Sequence, residues 1–183
     1  MFDFIKVSDQ LIYQEPLSDD WSVLDFCSNP MENSTDHIIE KLRLILDVHR
    51  PLFKTIARFL LDGNKLTIIE GNHDNELYLT EVREYLTNYI VELCRSIHIK
   101  EQPATDFNSD KITACINFQS WFLSSPGRYH IEHGHQYDEL SSFEHNLAPF
   151  DRGEKPVIIS PFSHRNASIV GDLLGNFSTH KIE

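Results

Sequence analysis

Cysteine is scarce in this sequence and forms no pattern. Cys27, Cys94 and Cys115 are odd in number, far apart and make no C-x-x-C pair, which excludes a disulfide framework and a zinc knuckle. A reducing, cytoplasmic setting is expected. Basic residues are few as well: 16 Lys and Arg stand against 28 Asp and Glu, a formal net charge of -12. That balance opposes nonspecific attraction to nucleic acid or anionic lipid, so an anionic substrate requires a local cation. No apolar run approaches the roughly 20 residues that span a bilayer. The opening segment, with Asp3, Asp9, Glu15, Asp19, Asp20 and Asp25, lacks the basic start and apolar stretch of a signal peptide. There is no internal repeat and no low-complexity tract.

What the chain does have is enough apolar material for one core: 183 residues, 40% of them hydrophobic, fit a single domain. Residues 1–31 show no sustained period, and Pro16 and Pro30 break them into loop with short helical pieces. From Asn33-Ser34-Thr35 the pattern changes. Ile38, Leu42, Ile45, Leu46, Leu52, Phe53, Ile56, Ala57 and Leu60 recur at three- and four-residue spacing up to Gly63, which predicts a long amphipathic helix kinked or restarted at Pro51. Residues 65–70 read as a strand buried on both faces at Ile68 and Ile69. A second helix is predicted over 79–97, with Val82, Leu86, Tyr89, Ile90, Leu93 and Cys94 as its packing stripe. After a polar loop over 100–110, two extended runs, 112–123 and 128–132, flank Ser124-Ser125-Pro126-Gly127, which is hairpin chemistry. A proline-containing loop over 149–161 and a helix over 167–177 complete the prediction. Helix followed by strand favours an α/β or layered α-β-β-α fold.

Two of these strands end in polar, glycine-broken loops. Gly71-Asn72-His73-Asp74 comes after the first, and Glu132-His133-Gly134-His135-Gln136-Tyr137-Asp138 after the hairpin. Strand C-terminal ends are where ligands bind in open α/β sheets. Asn72 offers an amide oxygen and His133 an imidazole, donors of borderline softness that suit Mn, Fe, Zn or Co better than Ca. His73 can hydrogen-bond a substrate or donate a proton to a leaving group, and Asp74 can orient its ring. His135 and Asp138 are close enough in sequence to act as further ligands or substrate contacts. The plain alternative is that Asn-His-Asp forms a simple turn bonded to nearby backbone, and that His-Gly-His is structural too. Two such loops at two strand ends favour a site. The remaining histidines, His37, His49, His98, His130, His145, His164 and His180, are assigned no role.

The pair IIEGNHD and YHIEHGHQYD resembles the calcineurin-like metallophosphoesterases, particularly the branch related to UDP-2,3-diacylglucosamine hydrolases, where a GNHD block and an EHGHQYD block occur in this order. Phe2-Asp3-Phe4 resembles the tail of that family's G-D-x-F-D-F block, and residues 161–183 resemble the family segment C-terminal to its second block, so the likeness extends over the whole chain. The resemblance implies a four-layer α-β-β-α sandwich holding two divalent metals, with a bridging hydroxide attacking phosphorus in a phosphate mono- or diester or a pyrophosphate. It implies Asn72 and His133 as ligands of one metal, His73 on the phosphoryl oxygen or leaving group, and Asp74 holding His73.

Three blocks of the family pattern are missing: Asp-x-His on the first strand, the metal-bridging aspartate of Gly-Asp, and Gly-His-x-His. Asp47-Val48-His49 and Gly171-Asp172 have matching spacings but stand in the wrong order and in predicted helices. The expectation is therefore a truncated metallophosphoesterase domain carrying part of the site, with an incomplete sheet edge open to self-association or a partner. The rival expectation is an inactive remnant acting as a binding or assembly module. Substrate specificity would lie in residues 8–35 and 139–165.

Overall fold

The structure, a computed structural model, describes residues 35–139, 141–143, 150–151 and 157–158. The expectations for 1–31, for the helix over 167–177, for Phe2-Asp3-Phe4 and for Gly171-Asp172 lie outside the described residues. Two helices, α1 (Thr35–Val48) and α2 (Arg50–Leu61), stand where a helix kinked or restarted at Pro51 was expected. Proline supplies the restart. Pro51 occupies the first turn of α2, where the N–H it lacks would have had no helical partner. The end of α2 is set by Gly63, whose φ of +88° lies in the left-handed region and whose N–H donates to Leu60 O at 3.0 Å.

Strand β1 (Leu66–Ile69) comes next, then a one-turn 3-10 helix (Asn75–Tyr78) and α3 (Thr80–Glu101). A short helix, α4 (Ser109–Thr113), leads into β2 (Ile116–Gln119), which pairs parallel with β1 in the register Leu66 to Ile116 and Ile69 to Gln119. A parallel pair needs a long crossover, and α3 with α4 provides it. β3 (Phe122–Ser125) and β4 (Tyr129–Glu132) form the antiparallel hairpin, with Phe122 opposite Glu132 and Ser125 opposite Tyr129. Two-residue strands β5 (Phe150–Asp151) and β6 (Val157–Ile158) also pair antiparallel. The architecture is mixed helix and strand.

Three sequence expectations are corrected. The run 112–123 is not one strand: Ile112 is helical, β2 pairs with β1, and a break at Ser120-Trp121 separates it from β3. The physical reason is a helix start at Asn108, whose side chain accepts from Lys111 N at 2.9 Å and caps α4. Replacing Asn108 by alanine should cost about 1 kcal/mol of stability, measured as a shift in the denaturant midpoint. An unchanged midpoint would show that the cap does not hold α4. The strand over 65–70 is not buried on both faces: all four residues of β1 are partly exposed, and among the described residues β2 is its one strand neighbour. The loop over 149–161 contains the β5–β6 pair.

The core is helical. Leu42 and Leu46 of α1, Phe53, Ala57 and Leu60 of α2, and Val82, Leu86, Ile90 and Cys94 of α3 are buried in one cluster with Leu77. Each buried Leu or Phe side chain contributes roughly 1.5–3 kcal/mol relative to exposure. Tyr89 ties the three helices together: its ring meets Phe53 edge-on with centroids 5.8 Å apart, and its hydroxyl donates to Leu46 O near the end of α1 at 3.2 Å. Burial pushes the Cys94 thiol up to about 11, which makes it core material and no nucleophile. Asp47 of the Asp-x-His decoy is exposed on α1 and pairs with Arg43 at 3.3 Å. No described helix is long and apolar enough to cross a membrane.

Candidate functional site

The β1–β2 ladder continues one step past Ile69, because Glu70 N–H donates to Gln119 O at 3.1 Å. The chain then turns. Gly71, Asn72, Asp74 and Asn75 are buried, while His73 is partly exposed. Gly71 N–H donates to Asp74 Oδ1 at 2.5 Å, and Leu77 N–H donates to Asp74 O at 3.0 Å, so Asp74 closes the turn with both its side chain and its carbonyl.

β4 delivers the second loop. Gly134 has φ +92°, a left-handed conformation that turns the chain sharply into the one-turn 3-10 helix His135–Tyr137. His133, just past the end of β4, lies over the first loop. A Cβ added to Gly71 would lie 2.6 Å from both Cδ2 and Nε2 of His133 and 3.0 Å from Asp74 Oδ1. The two motifs, distant in sequence, therefore meet at Gly71, and the absence of a side chain there is what admits the His133 ring.

His135 stands behind His133. The two Nδ1 atoms are 3.2 Å apart, so one ring donates and the other accepts, and His135 packs edge-on against Phe143 with centroids 5.4 Å apart. Burial, with the His133 ring beside it, holds the His135 imidazole down at about 4, so it is neutral at pH 7. Asp138 is exposed: its Oδ2 accepts from Ser141 Oγ at 2.7 Å and its carbonyl from Ser142 N at 2.8 Å, closing the next turn. The sequence-derived residues thus divide. Asn72, His73, Asp74 and His133 share one locality through Gly71, His135 joins it through His133, and Asp138 binds its own turn.

Sequence reasoning missed the group beneath the loop. Glu70 is fully buried, and its Oε1 accepts from Arg83 Nη2 at 2.6 Å. Arg83 Nε also donates to Leu77 O, and its guanidinium lies 5.6 Å from the centroid of the Phe118 ring on β2. Burial raises the Glu70 carboxyl above its ordinary range even though Arg83 and Ser120 oppose the shift. Alongside, Tyr78 donates its hydroxyl to Ser120 O at 2.8 Å, and burial, reinforced by the Glu70 charge, pushes it up to about 12. A signal for Arg83 was present. A cation in the first turn of a helix sits against the positive end of the dipole, which points to an acidic partner nearby.

Among the described residues no group of three His, Cys, Asp or Glu side chains converges as a metal ion requires. Asn72 and His133 are too few donors to fix a cation's geometry, so the described residues do not by themselves fit a one- or two-metal centre. Comparison with known protein families, with characterised proteins and with solved structures finds no match.

Proposed function

We propose that this chain carries part of a metal-dependent phosphoesterase site of the calcineurin-like metallophosphoesterase kind, acting on a phosphate mono- or diester or a pyrophosphate. The supporting observation is the meeting of the Gly71-Asn72-His73-Asp74 turn and the His133 ring at one point. In this reading Asn72 and His133 contribute to one of two divalent-metal positions, for Mn, Fe, Zn or Co, and donors outside the described residues complete it. His73, the partly exposed member of its loop, donates a hydrogen bond to a phosphoryl oxygen or a proton to the leaving group. Asp74 keeps the turn closed on Gly71 N–H and the loop rigid. His135, neutral at pH 7, fixes the His133 ring from behind. The layered α-β-β-α sandwich belongs to the same reading, with β1, β2 and the three long helices as one part of it.

The test is bound Mn²⁺ per chain, measured together with hydrolysis of a nitrophenyl phosphate ester. His73→Ala should lower turnover by about 10²–10⁴-fold, the range for a lost general acid, with the bound-metal ratio unchanged. Full turnover in His73→Ala removes His73 from the chemistry. A folded chain with neither tight metal nor turnover supports the rival reading of a non-catalytic binding or assembly module, which the small donor set among the described residues favours.

A further inference from the structure

We propose that Arg83 is the positioning residue of the Asn72-His73-Asp74 turn, with one guanidinium holding both of its ends. The catalytic consequence rests on the phosphoesterase reading, whereas the structural one rests on geometry alone. Arg83 reaches out of the first turn of α3. Its Nη2 donates to Glu70 Oε1 at 2.6 Å, on the residue before Gly71, and its Nε donates to Leu77 O, on the residue after Glu76. The Phe118 ring of β2 lies beside the same group. Entry to the loop, exit from the loop, the crossover helix and the sheet are thereby referred to a single planar side chain.

This matters because residues 71–76 connect β1 to the 3-10 turn and carry the candidate site residues. The turn is closed by Gly71 N–H to Asp74 Oδ1 and by Leu77 N–H to Asp74 O. A turn between a strand and a helix holds its geometry best when its two ends are fixed relative to each other from outside. Arginine suits the task because adjacent N–H groups of one rigid fork serve both acceptors at once. Lysine keeps the charge but offers a compact ammonium on a flexible stem, which cannot hold the same pair of acceptors in the same plane. Glu70 is the fixed point of the clamp, buried at the end of β1 with its own N–H bonded to Gln119 O. The Tyr78 hydroxyl on Ser120 O anchors the 3-10 turn to the chain just beyond β2 independently. Removing Arg83 thus takes away the side chain that links the loop's two ends to each other, while β1, the 3-10 turn and α3 stay anchored.

Amide hydrogen exchange on the full chain, combined with nitrophenyl phosphate kinetics, tests the clamp. In Arg83→Lys, protection at the Gly71 and Leu77 amides should fall about tenfold or more, while Leu46 in α1 and Ala57 in α2 keep wild-type protection. Turnover should fall about a hundredfold with KM changed only a few-fold, as expected when a reacting group is misplaced and binding is not. Glu70→Gln retains an oxygen acceptor for Nη2 and should keep loop protection near wild type. Wild-type protection of Gly71 and Leu77 in Arg83→Lys overturns the proposal. So does an equal loss of protection throughout α1, α2 and the loop, which would make Arg83 a general stability residue. If the wild-type chain shows no hydrolysis, the phosphoesterase reading fails by itself, and the exchange contrast still decides the clamp.

Discussion

Gly71→Ala is expected to separate activity from stability. The added Cβ would fall 2.6 Å from two atoms of the His133 ring and 3.0 Å from Asp74 Oδ1, so something has to move. The His133 ring is the part that yields, because it is the far end of an exposed side chain. Gly71 has no left-handed φ, so alanine introduces no backbone strain there, and the reduced freedom of the unfolded chain offsets part of any packing cost. The net stability change should stay within about 1 kcal/mol, or a few degrees in melting temperature for a chain of this size. Under the phosphoesterase proposal, hydrolysis of a nitrophenyl phosphate ester should nonetheless fall about a hundredfold, because the ring proposed as a metal ligand is displaced from the turn it faces. The ring resonances of His133 and His135 report the displacement directly. If those resonances and the turnover both match wild type, His133 is not seated over Gly71.

Arg83→Ala has the largest expected effect on stability, and the effect depends on pH. It leaves the Glu70 carboxylate buried without its ion-pair partner, a loss of about 3–5 kcal/mol for buried pairs. The lower end applies here because the Arg83 side chain is 29% exposed. Glu70 already binds its proton more tightly in the folded protein than in the unfolded chain, through burial, and removing the guanidinium raises that affinity further. A carboxyl raised on folding contributes its stability below its unfolded value of about 4.5 and loses it as pH rises through the folded value. The deficit of Arg83→Ala relative to wild type should therefore be smallest in acid, stay level up to the raised wild-type folded value of the Glu70 carboxyl, and grow as pH rises beyond it. Urea denaturation of both proteins from pH 4 to pH 8 measures it. A deficit independent of pH would mean that lost packing on Phe118 and the lost bond to Leu77 O, rather than the buried charge, carry the effect.

Much of this molecule was legible in its residues alone. The three- and four-residue apolar spacing of Leu42, Leu46, Phe53, Ala57, Leu60, Leu86 and Ile90 pointed to a helix kinked or restarted at Pro51 and to a second helix, because helix periodicity is a local property that burial then enforces. Pro51 and Gly63 marked their boundaries through backbone geometry alone. Ser124-Ser125-Pro126-Gly127 located the hairpin, and the two polar loops located the candidate site. The division of residues 112–123 was less accessible. Their apolar and polar residues suit an extended run, yet a cap at Asn108 and parallel pairing with a strand far back in the chain partition them between helix and two sheets.

The chain's residue types and local order were sufficient to place Asn72, His73 and Asp74 in one turn and His133 in another. Only the tertiary structure decided that the two turns meet, since contact through the empty side of Gly71 depends on how β4 and the left-handed Gly134 aim the second loop. Burial was likewise beyond local reading. Glu70 looks like an ordinary carboxylate at a strand end, and it becomes the fixed point beneath the site because α3 folds back to set Arg83 against it. Spacing along a chain determines which groups can share an element, and the packing of elements determines which groups are taken out of water together.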